Sequence, residues 1–262
     1  MQYCTFRDRE ASVDFLSFST HDGIAEVTLK RGKVNALNEQ VVAEIGDCCE
    51  RFENDANVRA AILTGDRSFF SFGFDIPEFL SYSKESFARF LQGFTNLYTY
   101  LYTYPKPLIA ALNGHTIAGG CMLALACDYR IMASGKARIS LNEITFGSSV
   151  FAGSVAMLKS LVGGKNAQEV LYNGTMYSAE DALKLALIDQ VSPQTELLDN
   201  ARAVARGLAA RDGAAFRSQK NLLRAPVAEE MKKSEEQSIR EFISIWYSEN
   251  TWKNLQAIKI HS

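Results

Sequence analysis

The sequence has few of the residues from which metal centres and disulfide frameworks are built. It contains three histidines, at positions 21, 115 and 261, which argues against a histidine-based metal cluster. None of its five cysteines forms a CxxC pair, so we expect buried free thiols rather than disulfides or metal ligands. The sequence therefore predicts a protein without a histidine- or cysteine-based metal site.

Strong net charge and long apolar runs are also absent. A formal net charge of -2 argues against a protein dedicated to nucleic acid or to an anionic membrane surface. The longest apolar stretch, 108–127, is interrupted by Asn113, His115 and glycines, which favours a buried core over a membrane span. The first fifteen residues carry Asp and Glu where a targeting peptide would be basic and apolar, which favours a cytoplasmic location.

What the sequence does contain is an alternation of strand and helix patterns, followed by helices alone. Two alternating segments around Gly23 predict a β-hairpin, and apolar residues at helical spacing after Asn38 predict a helix capped by that residue. From Leu197 onward the pattern is helical, with a break predicted at Pro226. We expect an α/β core over residues 1–195, which holds the functional site, and a helical region over 196–262 that serves oligomerisation.

Two turns are candidates for the functional site, because each follows an apolar strand and leads into a helix. The first is Ala118-Gly119-Gly120 and the second is Gly73-Phe74-Asp75. Glycine lets the backbone approach a ligand closely, and the free N–H groups of a helix start favour negative charge. If the two strands lie side by side, two amides can converge on one oxygen that becomes an anion during a reaction. Taken alone, the Gly119-Gly120 turn favours plain packing against a neighbour, and only the rest of the sequence favours a functional site.

Three segments closely resemble the enoyl-CoA hydratase/isomerase (crotonase) superfamily. They are FSFGFDI, LIAALNGHTIAGGCMLALACDYRIMA and ISLNE, and the resemblance runs from about residue 14 to residue 191. It implies an α/β fold made of a crotonase-like spiral of ββα units with a C-terminal helical region, assembled as a homotrimer or a dimer of trimers. It also implies an acyl-CoA thioester as substrate, and an enolate stabilised between two backbone N–H groups. No metal and no cofactor are implied, since CoA is part of the substrate.

The resemblance assigns roles to individual positions. The amides of Phe74 and Gly119 become the two donors to the thioester oxygen, and Glu143 becomes the acid/base carboxylate. Met122 occupies the position of a hydratase's other carboxylate and cannot transfer a proton. Further contacts with the substrate are assigned to Lys33, Asn35, Ala36, Ser71, Gly73, Asp75, Gly120 and Met122.

A single carboxylate favours an isomerase, because moving a double bond needs one base that removes a proton at C2 and returns it at C4. The sequence therefore predicts conversion of 3-enoyl-CoA to 2-enoyl-CoA. An enoyl-CoA hydratase or another lyase of this superfamily stays open if Asp75 or Glu78 supplies a second carboxylate. A non-catalytic acyl-CoA-binding or assembly protein also stays open, because Phe72 and Phe74 could fill the pocket.

Overall fold

The computed structural model describes residues 11–258. Cys4, His261 and most of the N-terminal segment used to predict the location lie outside these residues. The four cysteines inside them are buried free thiols, as predicted. Between residues 11 and 258 no helix is both long and apolar enough to cross a lipid bilayer.

The strands and helices alternate along the described chain until β12. The strands are β1 (Ala11–Ser12), β2 (Leu16–His21), β3 (Ile24–Leu29), β4 (Ala36–Leu37), β5 (Ala60–Gly65), β6 (Phe69–Ser71), β7 (Gly73–Phe74), β8 (Leu108–Leu112), β9 (His115–Ile117), β10 (Tyr129–Ala133), β11 (Ile139–Ser140) and β12 (Gln190–Ser192). The α-helices are α1 (Glu39–Asn54), α2 (Ile76–Phe79), α3 (Lys84–Tyr102), α4 (Gly119–Ala126), α5 (Ala152–Asn173), α6 (Ala179–Lys184), α7 (Leu197–Ala209), α8 (Gly213–Trp246) and α9 (Glu249–Ala257). Short 3-10 helices lie at Glu143–Phe146 and Gln194–Glu196.

The topology repeats one unit of two strands and a helix. The predicted hairpin is β2–β3, and its strands join a seven-stranded sheet in the order β1-β2-β3-β5-β8-β10-β12. From β3 to β12 the neighbouring strands of this sheet are parallel. After β3, β5, β8 and β10 the chain adds a strand to one of two small sheets, β4-β7 and β11-β9-β6, before a helix follows. The predicted spiral of ββα units is confirmed.

Side-chain caps start several of these helices. The Asn38 side chain accepts a hydrogen bond from the amide of Val41 at 3.1 Å, which confirms the predicted start of α1. Asp75 accepts from the amide of Glu78 at 3.2 Å and starts α2. Each cap pairs an N–H group that has no partner within its own helix, so the chain direction after these strands is fixed locally.

Helix α8 continues through Pro226, and the break predicted there is wrong. Proline removes one backbone hydrogen bond and costs about 3 kcal/mol inside a helix. Packing on both sides compensates for this cost. Before the proline, Arg224 donates to the carbonyls of Tyr102 and Ala126 at 2.8 Å, and after it Met231 is fully buried.

The C-terminal helices share their cores with the preceding chain. Helix α7 packs on β3, β5, β8 and β10, and α8 packs on α3 and α5. Phe242 and Trp246 of α8 are buried, with centroid distances of 4.6 Å from Phe242 to Phe151 and 4.7 Å from Trp246 to Phe87. These aromatic side chains therefore complete the interior of the same chain.

Candidate active site

A cavity of about 300 Å³ lies between the start of α4, the 3-10 helix Glu143–Phe146 and the end of α8. Most of its lining is apolar, from the phenylalanines at 72, 74, 146, 151 and 242 to Trp246. Among the described lining residues, Glu143 is the one ionisable side chain. Its polar neighbours in the lining are Asn142 and Ser148, whose buried Oδ1 and Oγ atoms find no hydrogen-bond partner within residues 11–258.

Glu143 is a buried carboxyl group that faces this cavity. The residue is 5% exposed, and its Oε2 atom has no hydrogen-bond partner among the described residues. Burial raises the pKa of Glu143 to about 8, and a hydrogen bond with its own backbone acts in the opposite direction. The turn that carries Glu143 is closed by the amide of Ser148, which donates to the Glu143 carbonyl at 2.9 Å.

The first predicted turn brings the start of α4 to the cavity. Ala118 has φ 49° and ψ -118°, a conformation that costs an alanine about 1–3 kcal/mol. Its amide donates to the carbonyl of Ser140 at 2.9 Å, and its carbonyl accepts from the amide of Met122 at 3.0 Å. The amide of Gly119 thus precedes the first hydrogen bond of α4, and Gly119 lines the cavity.

The second predicted turn reaches the same place. The amide of Asp75 donates to the carbonyl of Leu37 at 2.9 Å. Because successive amides of an extended strand point to opposite edges, the amide of Phe74 points away from β4. Gly73 has φ 95°, and a Cβ atom built on it would lie 3.1 Å from the nitrogen of Gly119. The two turns are therefore in contact, and glycine is required where they meet.

The expectation that the strands before the two turns lie side by side is confirmed. Strands β5 and β8 are parallel neighbours, with Ile62 opposite Ile109. The ring of Phe74 turns into the core, edge-on to Phe90 at 5.0 Å and to Phe94 at 4.9 Å. The phenylalanine-rich loop therefore leaves a cavity open beside Phe74, which weakens the case for a filled, non-catalytic pocket.

Two carboxylates considered for a hydratase lie outside the cavity lining. The guanidinium of Arg31 contacts Asp75 at 2.6 Å and Glu78 at 2.9 Å. Arg31 also donates to the carbonyl of Ala36 at 3.0 Å, so the pair holds the loop before α1 against the start of α2. Asp75 was also assigned to the substrate; the structure shows it in this cap and ion pair, and its contact with the substrate stays a prediction.

Asn35 and Ser71, also assigned to the substrate, build the backbone behind the Phe74 turn. The Asn35 side chain accepts from the amide of Arg31 at 2.9 Å and donates to the carbonyl of Phe69 at 3.0 Å. The Ser71 hydroxyl donates to the carbonyl of Asn35 at 2.7 Å and accepts from the amide of Gly73 at 3.1 Å. Both side chains are buried and engaged, so they support the turn from outside the cavity lining.

The remaining positions assigned to the substrate are of three kinds: packed in the interior, exposed, or part of the cavity lining. A Cβ atom on Gly120 would lie 2.6 Å from the carbonyl oxygen of Ser71, so this glycine permits close packing of α4 on β6. Ala36 is buried in β4, Lys33 is exposed, and Met122 lines the cavity. The assignment of CoA contacts to the loop around Lys33 stays a prediction.

Sequence reasoning missed part of the cavity lining. Phe242 and Trp246 belong to the region from which no site residue was predicted, yet both line the cavity. Their spacing of four residues places them on one face of a helix, and this spacing is the sequence signal that could have identified them. Asn142 directly precedes Glu143 and could have been found from that proximity.

Known proteins with similar sequences and structures point to one family. Residues 19–258 match the family model described as enoyl-CoA hydratase/isomerase. The chain is 32% identical over 235 residues to the mitochondrial enoyl-CoA delta isomerase 1 of Mus musculus, with 89% of this chain and 81% of the relative covered. It is also 32% identical over 247 residues to a carnitinyl-CoA dehydratase of Citrobacter koseri, with 92% of this chain and 94% of the relative covered.

The crystal structure of human mitochondrial delta3-delta2-enoyl-CoA isomerase is similar to this chain with a TM-score of 0.88. It shares 28% sequence identity, and the alignment covers 93% of this chain and 96% of the human chain. Since isomerase and dehydratase relatives reach the same identity, the reaction has to be argued from the site.

Proposed function

Because the chain belongs to the enoyl-CoA hydratase/isomerase family, we propose that it moves a carbon–carbon double bond and converts 3-enoyl-CoA to 2-enoyl-CoA. That it is a crotonase-type enzyme follows from the family and from its isomerase relatives. One observation favours isomerisation over hydration. Among the described residues that line the cavity, Glu143 is the single ionisable side chain.

In the proposed reaction the thioester oxygen lies between the amides of Phe74 and Gly119. The Glu143 carboxylate removes a proton from C2, and the electron pair of the broken C–H bond spreads over a dienolate. The two amides and the N-terminal end of α4 stabilise the charge that develops on the oxygen, and one such donor is typically worth about 3 kcal/mol. The carboxylic acid of Glu143 then returns the proton to C4, which leaves the double bond between C2 and C3.

The surroundings of Glu143 suit this proton shuttle. A carboxylate whose pKa is raised to about 8 is a stronger base than an exposed glutamate, and it titrates close to neutral pH. Its unpartnered Oε2 atom is available to the substrate. The steps need no metal or redox chemistry, since one proton moves within the substrate and no electrons leave it.

Hydration is less well supported, because it is usually assigned to two carboxylates. Met122 is apolar and 1% exposed in the cavity wall. Asp75 and Glu78 are paired with Arg31. A water molecule in the cavity would therefore have one base, Glu143, and no second carboxylate among the described lining residues.

The test is a parallel assay of the pure protein on a 3-enoyl-CoA and a 2-enoyl-CoA. We expect the double bond of the first to shift and little hydration of the second. Glu143→Gln should lower kcat by about 10²–10⁴-fold, because it removes the base and keeps the shape of the side chain. The matched variant Glu78→Gln should keep kcat within about threefold, since Glu78 lies outside the cavity lining.

Two outcomes would contradict the proposal. One is isomerase turnover by Glu143→Gln near the wild-type rate. The other is hydration of the 2-enoyl-CoA without any shift of the 3-enoyl-CoA, which would favour the hydratase alternative. Assembly as a homotrimer or dimer of trimers and the cytoplasmic location stay predictions from the resemblance and from the N-terminal sequence.

A further inference from the structure

The start of α5 is held by side chains of α8 that lie more than eighty residues further along the chain. The Glu235 carboxylate accepts from the amide of Gly153 at 2.8 Å, and the Ser238 hydroxyl accepts from the amide of Ala152 at 3.1 Å. Amides in the first turn of a helix have no partner within that helix. Two side chains of α8 therefore supply the cap that α5 lacks.

The fit around this cap is close. A Cβ atom built on Gly153 would overlap the Glu235 carboxylate and lie 2.5 Å from the hydroxyl oxygen of Tyr98. Glu235 is 7% exposed, and its Oε1 atom accepts from the Ser238 hydroxyl at 3.2 Å. The carboxylate therefore fixes both the distance and the orientation of the first turn of α5 against α8.

This cap adjoins the aromatic wall of the cavity, which we define as Phe151, Phe242 and Trp246. Phe151 directly precedes Ala152, and its ring lies 4.6 Å from that of Phe242. Residues 235, 238, 242 and 246 are spaced by three or four positions, so one face of α8 carries both the cap and two members of the wall. A shift of α5 relative to α8 would therefore separate Phe151 from Phe242.

We propose that Glu235 and Ser238 are positioning residues that fix the aromatic wall and thereby set the length of acyl chain that the site accepts. The proposal rests on the proposed function in one respect, namely that the cavity holds the acyl part of an acyl-CoA. A cavity of about 300 Å³ has little spare room, so a small movement of its wall adds or removes space for a methylene group. One methylene group in a hydrophobic pocket is worth about 10–200-fold in selectivity.

The experiment measures the Kd of saturated acyl-CoAs of increasing chain length by isothermal titration calorimetry, together with kcat/KM on 3-enoyl-CoAs of the same lengths. Glu235→Ala should change the ratio between long and short chains by about tenfold or more. Glu235→Gln should keep this ratio within about threefold of wild type, because the amide oxygen still accepts from Gly153. Glu236→Ala is the matched control, since the neighbouring Glu236 side chain is 82% exposed.

Ser238→Ala provides a second, milder variant in case Glu235→Ala does not fold. It should change the length ratio in the same direction by a smaller factor, because it frees the amide of Ala152 alone. A length ratio equal to wild type in the folded variants would overturn the proposal, and so would an equal loss of affinity at every length. If the wild type binds acyl-CoA without turnover, the proposed isomerase function fails while the length ratio can still be measured.

Discussion

The two ends of α4 are built in opposite ways. At its N-terminus Ala118 has a strained backbone, and the amide of Gly119 precedes the first helical hydrogen bond. The nearby Glu143 Oε2 atom has no hydrogen-bond partner in the part of the chain that the structure describes. At its C-terminus Arg224 donates to the carbonyls of Ala126 and Cys127 at 2.8 and 2.9 Å. One helix thus has an N-terminus that is open to the cavity, the open end, and a C-terminus whose last carbonyls accept from Arg224, the satisfied end.

Two carboxyl side chains, the largely buried Asp128 and the buried Glu143, show the same difference. Asp128, just beyond the C-terminus of α4, accepts from the amide of Leu108 at 2.8 Å and from Lys220 at 2.7 Å, and it lies 3.2 Å from Arg224. Glu143 has no cation within ion-pair distance among the described residues. The fold pairs the carboxylate that anchors a strand and leaves unpaired the one that the proposed reaction needs free.

The largest expected effect comes from breaking the satisfied end. Asp128→Ala should lower the free energy of unfolding by about 3–5 kcal/mol, because it leaves the buried Lys220 and the largely buried Arg224 without their counterion. Urea titration of the variant and the wild type measures this difference. Asp128→Asn should cost less, since its amide oxygen still accepts from Leu108. A loss below about 1 kcal/mol for Asp128→Ala would show that the cluster contributes no more than a surface pair.

The sequence predicted most of the open end, because its signals are local. The two glycine-containing turns and the ISLNE segment each span only a few residues, and the resemblance assigned Phe74, Gly119 and Glu143 their roles. The parallel pairing of β5 and β8 then confirmed that the two turns meet. The fold class was predicted on the same basis, and the family match supports it.

The satisfied end was largely beyond prediction, because its partners are distant in sequence. The partners of Asp128, Lys220 and Arg224, lie more than ninety residues further along the chain. The uninterrupted course of α8 past Pro226 depends on that same packing, which a local proline signal does not reveal. The aromatic side chains at the end of α8 reach the cavity for the same reason.

A smaller effect follows from the unpaired carboxylate. The pKa of Glu143 rises from an ordinary value of 4.5 to about 8 on folding, so the folded protein holds a proton between these pH values that the unfolded chain releases. Its contribution to stability is complete below pH 4.5 and is lost as the pH rises to 8. Glu143→Gln should be more stable than wild type at pH 9 by a few kcal/mol, and equally stable near pH 4.5.

Urea titrations at pH 5, 7 and 9 measure this difference between Glu143→Gln and wild type. Glu78→Gln is the matched control, since Glu78 is paired with Arg31. A stability difference that does not grow with pH would mean that Glu143 is not the group that titrates. A change in packing would then have to explain the stability of Glu143→Gln.

The same titration should govern activity in the opposite direction. The base must be ionised, so kcat/KM should rise about tenfold per pH unit below the pKa of Glu143 and level off above pH 8. Rate measurements from pH 6 to 9 with one 3-enoyl-CoA give the profile, and Glu78→Gln should leave its midpoint unchanged. A profile that is flat over this range would show that the ionisation of Glu143 does not limit the reaction.

The smallest expected effect comes from removing the backbone strain at the open end of α4. Ala118 has φ 49°. Ala118→Gly removes the Cβ atom that makes this backbone conformation strained, but it also makes the unfolded chain more flexible. The free energy of unfolding should therefore rise by about 0.5–1 kcal/mol. Ala186, which has φ 59° in the turn after α6, is the matched control, and Ala186→Gly should gain a similar amount in urea titrations. Because the N–H of Gly119 depends on this turn, Ala118→Gly should also lower kcat a few-fold, whereas Ala186→Gly should not. Equal activity of both variants would mean that the packing of α4, rather than the conformation of Ala118, directs the amide toward the substrate.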